Sequence, residues 1–237
     1  MHKALKIISL LLSYPSAELL AGAPELKAAL DGDDTIAREV KLLLGRLIDD
    51  LAGQDLYDAQ ERYVYLFDRS RSLSLHLFEH VHGESRDRGQ AMVDLMTMYE
   101  DSGFVIDAKE LPDYLPLFLE FLSTRSVEEV NDLLAQTAHI TAALGERLKK
   151  RDSIYANAFS ALRLLSSAKP DQKLLKQLLE GAEDDPNDLA ALDRIWEDEA
   201  VTFGGNSGDN SCGPDRLRTQ MRAAARKPND PLNTIPV

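Results

Sequence analysis

Apolar side chains recur at intervals of three and four residues along most of the first 200 positions of this chain. One stripe includes Ile36, Val40 and Leu44, and another runs from Val127 to Leu148. Because residues three and four apart share one face of an α-helix, each stripe predicts an amphipathic helix with a buried side. Strand-like alternation is scarce. The sequence therefore predicts an all-α fold, a single-domain bundle of about nine to ten helices.

Local signals mark where several of these helices begin. Ser126 followed by Glu129 is a capping-box pattern, in which the Ser oxygen accepts an orphan helix N–H and the Glu side chain reaches back. Pro186 stands at a first-turn position that favours proline, and Asp188 lies near the positive helix end. The predicted helices lie near residues 3–13, 35–52, 54–67, 71–82, 86–101, 113–123, 126–150, 152–168, 171–182 and 187–200.

Composition changes after residue 200. Residues 201–237 hold four of the thirteen Gly and four of the ten Pro, with little apolar periodicity. We expect residues 1–200 to form one helical domain and residues 201–237 to form a flexible basic tail. The formal charge of −13 divides into +2 for the tail, which has five cations against three carboxylates, and −15 for the rest. Because binding phosphates needs a dense basic surface, this acidic body argues against a nucleic-acid partner.

The only cysteine is Cys212, so the chain cannot form an internal disulfide. A lone thiol fits a reducing compartment, and the cytoplasm is the expected location. No run approaches the ~18 apolar residues of a membrane span. The short apolar run near the N-terminus is cut by Lys6 and lacks a clear cleavage site, which argues against an export signal. We expect no stable association with a membrane.

The densest polar stretch runs from Glu79 to Gln90, between the apolar run at 73–78 and a predicted helix. Gly83 can end the first helix in the left-handed conformation, and Ser85 can cap the next one. One interpretation is a solvated corner whose ion pairs contribute little to stability. The other is a binding site, because two imidazoles and several charges of both signs converge there. Composition alone does not separate them.

The segment His76-Leu77-Phe78-Glu79-His80 fits the His-x-x-Glu-His pattern of the inverted zincins. On a helix the two His would share a face and could hold a metal, with Glu79 as general base. A working site also needs a third protein ligand, and no second constellation of this kind follows. A metal-dependent hydrolase using His76, Glu79 and His80 is therefore an alternative, whereas the main expectation is no metal, no cofactor and no catalysis.

Two further stretches combine aromatic and polar residues. Tyr63, Leu66 and Phe67 lie three and four apart and form one helical face. Asp113 and Tyr114 follow Pro112 at the start of an apolar helix, where a carboxylate is favoured near the positive helix end. For both stretches the alternative to a binding role is simple packing in the core.

Together these stretches resemble the NarJ type of respiratory nitrate reductase assembly chaperone, within the all-helical family of redox-enzyme maturation chaperones. The resemblance is most specific between Tyr63 and Leu95. Residues 61–67 are similar to the family's Glu-x-Tyr-x-x-Leu-Phe signature. Residues 111–114 resemble its Pro-Asp-His loop, but Tyr114 stands where a His is often found.

This resemblance implies a cytoplasmic chaperone rather than an enzyme. Family members bind the N-terminal segment of the apo catalytic subunit of nitrate reductase and keep it competent for molybdenum cofactor insertion, and they delay membrane docking. The cofactor belongs to the client, and direct contact with molybdenum cofactor delivery proteins is left open. A chaperone for a different molybdoenzyme is the alternative that shares this fold.

The resemblance and the local chemistry together predict a client-binding groove. Its aromatic part is expected from Tyr63, Phe67 and Tyr114, and its polar side from the corner after residue 79. An acidic body would speed the approach of a basic peptide helix. The predicted client-binding residues are Tyr63, Phe67, His80, His82, Glu84, Arg86, Asp87, Arg88, Asp113 and Tyr114.

Overall fold

The computed structural model describes residues 2–81, 86–106, 110–166 and 168–181, with the backbone alone at residue 86. Ten α-helices lie within these ranges. They are α1 (His2–Leu12), α2 (Ala17–Ala21), α3 (Ala23–Asp31), α4 (Arg38–Ala52), α5 (Leu56–Tyr63), α6 (Arg86–Asp101), α7 (Leu115–Leu122), α8 (Val127–Lys150), α9 (Ala156–Leu165) and α10 (Gln172–Glu180). A π-helical turn, Val64–Asp68, continues α5, and two 3₁₀ turns cover Arg71–Leu73 and Leu77–His80.

Helix α1 lies at the centre of the bundle because it is apolar on nearly every side. Most of its side chains are buried, and it packs against α7, α9, α3 and α4. Its one buried polar residue is Ser9, whose hydroxyl donates to the carbonyl of Pro116 at 2.7 Å. That bond satisfies the hydroxyl, so the polar group is buried without a large desolvation cost.

The second layer is built from α4, α9, α8 and α10, each packed on the next. Helices α8 and α9 approach closely at Gly145, where an added Cβ would lie 3.1 Å from the Cβ of Phe159. Helix α10 lies on α8 and is held there by Arg147, which is buried. Its Nη1 donates to the carbonyl of Ser72 at 2.7 Å and its Nη2 to that of Leu178 at 2.5 Å. One guanidinium thus joins three segments.

The all-α prediction is confirmed. Within the described ranges there is no β-strand, only an isolated bridge between His76 and Tyr114. The predicted capping box forms, since the Ser126 hydroxyl accepts from the backbone N–H of Glu129 and the Glu129 carboxylate accepts from that of Ser126. Helices α2 and α3 were not predicted. The predicted helix at 187–200, the signals at Gly83 and Ser85, and the predicted tail at 201–237 lie outside the described residues.

Replacing Gly145 by Val should destabilise the protein, because the added methyl groups would meet the Phe159 side chain where α8 and α9 are closest. We expect a loss of about 2 kcal/mol in the free energy of unfolding, as for other overpacked cores. Gly45→Ala is the matched control, since Gly45 lies inside α4 with nothing within 4 Å of an added Cβ. The control should gain roughly 0.5–1 kcal/mol from helix propensity alone. Urea unfolding followed by circular dichroism measures both, and equal effects would contradict the close approach.

Candidate functional site

Part of the stretch that most resembles the chaperone family, residues 71–81, is not an α-helix. Between Arg71 and Val81 the chain forms two short 3₁₀ turns with extended backbone between them, so the predicted helix at 71–82 is wrong. Leu73, Leu75 and Leu77 are buried. They alternate with Ser72, Ser74 and His76, and this period of two is that of an extended chain. We call residues 71–81 the bridging segment.

A buried carboxylate holds the bridging segment in place. Asp113 is 0% exposed, and its Oδ2 accepts from the backbone N–H of Phe78 at 3.0 Å. Its own carbonyl accepts from the N–H of Leu77 at 3.0 Å, and the N–H of Leu115 donates to the carbonyl of Leu75 at 2.8 Å. We expected Asp113 to stabilise the start of its own helix. Instead its side chain makes no cap bond to α7 and accepts hydrogen bonds from the bridging segment.

The second partner of Asp113 is His76. The His76 Nδ1 donates to the Asp113 Oδ1 at 3.2 Å. Burial alone would disfavour the imidazolium, but the hydrogen bond and the charge of Asp113 outweigh it, and the pKa of His76 is raised above its ordinary value. The charges of Glu79 and Glu110 act in the same direction. His76 is therefore positively charged over a wider pH range than a free histidine.

This geometry does not support the metal-dependent hydrolase. The inverted-zincin pattern needs His76 and His80 on one helical face, and neither lies on an α-helix. Their ring nitrogens point to different partners, since His76 Nδ1 bonds to Asp113 and His80 Nε2 to the carbonyl of Ser74. Among the residues that the structure describes, no group of three or more His, Cys, Asp or Glu side chains could hold a metal ion.

Tyr114, the residue in place of the family His, pairs with Tyr63. The Tyr63 hydroxyl donates to the carbonyl of Leu12 at 2.9 Å, so the hydroxyl of Tyr114 donates to the Tyr63 oxygen at 2.8 Å. Burial raises the pKa of Tyr114 to about 12, and it raises that of Tyr63 further. Both phenols are therefore neutral at physiological pH. The half-buried Tyr114 ring lies 5.5 Å from the ring of His76, at the surface end of this polar pair.

The other aromatic residues predicted for the groove lie deeper. Phe67 is only 4% exposed and packs between Tyr63 at 4.9 Å and Tyr155 at 5.1 Å between ring centroids. The structure places Phe67 and Tyr63 in the core, and Tyr63 reaches Tyr114 through the bond between their hydroxyls.

Of the predicted polar residues, the structure describes only some. Arg88 donates from Nη2 to the Glu79 Oε1 at 3.3 Å, which ties α6 to the bridging segment. Asp87 is exposed, without a hydrogen bond or ion pair among the described side chains. His82, Glu84 and the side chain of Arg86 lie outside the described residues. Asp68 and Glu110, which sequence reasoning missed, are exposed and act electrostatically on Tyr114.

The opposite side of the bridging segment borders a cavity of about 440 Å³. Three parts of the chain form its walls: the end of the bridging segment, the middle of α8, and the face of α10 that packs on α8. The lining is mainly apolar, with exposed apolar side chains at Val81 and Leu174. The lining residues are Leu77, Phe78, His80, Val81, Gln136, Thr137, His139, Ile140, Leu174, Gln177 and Leu178.

His80 connects this cavity to the backbone of the bridging segment. Its Nε2 donates to the carbonyl of Ser74 at 2.8 Å. Burial lowers the pKa of His80, and the nearby charge of Arg147 lowers it further, although the bond to Ser74 opposes both. Burial also lowers the pKa of His139 on the facing wall. The two imidazoles at the cavity are thus neutral at physiological pH, whereas the pKa of His76 is shifted in the opposite direction.

Sequence reasoning missed the walls that α8 and α10 contribute. Gln136, Thr137 and His139 carry no motif, and Leu174 and Leu178 are part of an ordinary apolar stripe. The available signal was α10 itself, a short helix with one strongly apolar face and a side-chain cap at Asp171. Such a helix needs a partner, but its sequence does not say which one.

The fold and site define a helical bundle with a cavity beside a bridging segment, and comparisons with known proteins place that bundle in a family. The nitrate reductase delta subunit family matches residues 31–161. The nitrate reductase molybdenum cofactor assembly chaperone NarJ of Escherichia coli K12 is 42% identical over 222 residues, which cover 93% of this chain and 92% of that protein. NarW of the same bacterium is 44% identical over 200 residues, covering 84% and 83%. The chain belongs to the nitrate reductase delta subunit family, among the NarJ-type assembly chaperones.

A solved structure supports the fold. A protein of Archaeoglobus fulgidus assigned to redox enzyme maturation superposes with a TM-score of 0.51 at 22% identity, covering 69% of this chain and 92% of that one. The NarJ and NarW relatives are named as assembly chaperones, which confirms the prediction that this chain belongs to a class of chaperones rather than of enzymes. No helix within the described ranges is long and apolar enough to cross a membrane.

Removing the Asp113 carboxylate should destabilise the protein strongly. Asp113→Ala leaves the Phe78 N–H and His76 without their buried acceptor, and we expect a loss of about 3 kcal/mol in the free energy of unfolding. Asp113→Asn is the control, because its amide oxygen can still accept from Phe78, and it should lose about half as much. Urea unfolding measures both. A loss below about 1 kcal/mol for the Ala variant would show that the carboxylate does not hold the bridging segment.

The two imidazoles should contribute to stability with opposite pH dependence. The raised pKa of His76 means that its contribution is present below about pH 6.5 and is lost as pH rises through the folded-state value. The lowered pKa of His80 means that its contribution is present above about pH 6.5 and is lost as pH falls. Relative to the unmodified protein, His76→Asn should therefore cost most under mildly acidic conditions and His80→Gln most under mildly basic ones.

Each substitution keeps an amide N–H near the position of the donor that it replaces. Urea unfolding at several pH values between about 5 and 8, where imidazoles titrate, measures the effect. Parallel curves for the two variants would contradict the opposite protonation states.

Proposed function

We propose that this protein binds the N-terminal segment of the apo catalytic subunit of a nitrate reductase, keeps that subunit competent for molybdenum cofactor insertion and delays its membrane docking. It would act in the cytoplasm, before the enzyme is complete. The observation that carries the proposal is the cavity of about 440 Å³, one wall of which is the end of the bridging segment. Residues 77–81 belong to the stretch that most resembles the NarJ-type chaperones.

The cavity suits one face of an amphipathic peptide helix. Its volume falls within the range of about 300–1,000 Å³ that is typical of ligand sites. Val81 is 52% exposed and Leu174 is 41% exposed, so the rim presents apolar side chains to solvent in the unliganded chain. A helix that places apolar residues at intervals of three and four could bury both side chains together with the lining behind them.

Charge supports a basic client segment. Residues 1–200 carry a formal charge of −15, which attracts cations over a distance set by the salt concentration. Near Tyr114, the carboxylates of Asp68 and Glu110 are exposed and available to basic side chains. Long-range attraction raises the association rate more than the final affinity, and this suits a chaperone that must later release its client.

Binding of a synthetic peptide copied from the client N-terminus should depend on the rim of the cavity. Val81→Asp and Leu174→Asp each place a carboxylate in an apolar contact, and we expect each to weaken binding about tenfold or more. Leu42→Asp is the control, because Leu42 is 52% exposed on α4 and does not line the cavity. Isothermal titration calorimetry measures the affinities.

The same titrations test the polar corner predicted from the sequence. Simultaneous replacement of residues 84–88 by alanine should also weaken binding if the corner contacts the client. Unchanged affinity in that variant would remove the corner from the site, and unchanged affinity in both rim variants would remove the cavity. Copurification from cells that express several molybdoenzymes identifies the client, because recovery of another enzyme in place of nitrate reductase would contradict the proposed partner.

A further inference from the structure

Two polar side chains of the cavity wall offer it a hydrogen-bond acceptor and no donor. The first is His80, in the bridging segment. Its Nε2 already donates to the carbonyl of Ser74. In a neutral imidazole the other nitrogen, Nδ1, then carries a lone pair and no proton. Among the described residues Nδ1 has no hydrogen-bond partner, so it is left as an acceptor.

The second is Thr137, in the middle of α8. Its hydroxyl oxygen lies 3.4 Å from the carbonyl oxygen of Leu133 and 3.3 Å from that of Leu134, and it donates to them. A hydroxyl has a single proton, which is used here inside α8, whereas the oxygen keeps its lone pairs. Two walls of the cavity, the bridging segment and α8, therefore each carry an acceptor of fixed role.

The other polar side chains of the lining do not have a fixed role. Gln136 and Gln177 are exposed, and a side-chain amide can turn either its oxygen or its N–H groups to a ligand. The tautomer of His139 is not set by any hydrogen bond among the described residues. These residues adapt to a ligand, so the selection falls to His80 and Thr137.

The surroundings of His80 disfavour a cation as the group that these acceptors recognise. The lining is mainly apolar, and an ion that entered it would lose its hydration. The charge of Arg147 also acts on His80, and it lowers the pKa of that imidazole more than either carboxylate, of Glu79 or of Asp113, raises it. The same charge repels a second cation near Nδ1. The recognised group must therefore be neutral, and an apolar body must carry it.

We infer that the cavity selects a neutral O–H or N–H donor on an apolar body, such as a tyrosine phenol or a tryptophan indole, and that His80 sets this preference. A ligand without the donor would bury Nδ1 unpaired, which costs more than the made hydrogen bond gains. Sites built to pair with a donor reject close analogues that lack it. That the client segment supplies this donor rests on the proposed function, whereas the preference of the cavity does not.

Phenol and anisole test the preference without a client, because anisole carries a methyl group in place of the donated proton. The extra methyl alone would favour anisole about fourfold. In the unmodified protein we expect phenol to bind about fivefold more tightly, since only phenol satisfies Nδ1. Titrations followed by nuclear magnetic resonance measure both affinities, and Overhauser contacts to the methyl groups of Ile140 and Leu174 place each probe. Tighter binding of anisole, or phenol without these contacts, would overturn the inference.

Variants of His80 separate recognition from a structural role. His80→Phe keeps a ring without nitrogens, so the preference should reverse and anisole should bind about fourfold more tightly. His80→Gln is the matched control, because its amide can donate to Ser74 while its oxygen still accepts, and phenol should remain the tighter probe. A merely structural role would change both probes alike. An unchanged preference in His80→Phe would overturn the inference, and the comparison in the unmodified protein decides it if that variant does not fold.

The part that concerns the client is tested with the synthetic N-terminal peptide and single replacements of its neutral donors, tyrosine by phenylalanine, tryptophan by naphthylalanine and threonine by valine. One replacement should weaken binding to the unmodified protein about fivefold and leave binding to His80→Phe unchanged, as expected for two partners in one hydrogen bond. Lack of such coupling beside the preference for phenol would overturn the assignment of the donor to the client. Absence of peptide binding in every variant would contradict the proposed function and leave the result with phenol and anisole standing.

Discussion

A buried carboxylate in the loop before α7 determines how the functional part of this molecule is arranged. Asp113 has no exposed surface and accepts hydrogen bonds from the Phe78 N–H and from His76. A charge is tolerated in such a place only when it is paired and hydrogen-bonded, and both conditions are met. The arrangement is specific, because the bridging segment must follow one path to present both donors to the carboxylate, and removing one partner would leave an unpaired buried group.

The bridging segment separates two environments of different chemistry. On one side are His76, whose pKa is raised by Asp113, the neutral phenol of Tyr114 and the carboxylates of Asp68 and Glu110. On the other side is an apolar cavity whose imidazoles are uncharged. An amphipathic peptide with basic residues has both kinds of surface, and this supports the proposal that one client segment uses both sides.

Arg147 extends this arrangement to α10. Its guanidinium donates to the carbonyls of Ser72 in the bridging segment and Leu178 in α10, so the walls of the cavity are joined by a buried polar group. A change in the position of α10 would therefore alter the bonds at Ser72, and the reverse also holds. The position of α10 and the path of the bridging segment are therefore linked by this residue.

Periodicity alone was enough to predict the all-α class, the long helices α4 and α8 and the Ser126 capping box, because the interactions that define them lie within four residues. It failed between residues 71 and 82, where alternating Ser and Leu residues were assigned to a helix. The backbone between its two 3₁₀ turns is extended because Leu75 and Leu77 pair with residues 113–115, and no local pattern contains such a distant contact. The cavity escaped prediction for the same reason, since its walls come from residues 77–81, 136–140 and 174–178. The sequence by itself determined the all-α class, most of the helices and the family, whereas the tertiary structure decided which helix faces form a site, because those faces meet only through contacts between distant parts of the chain.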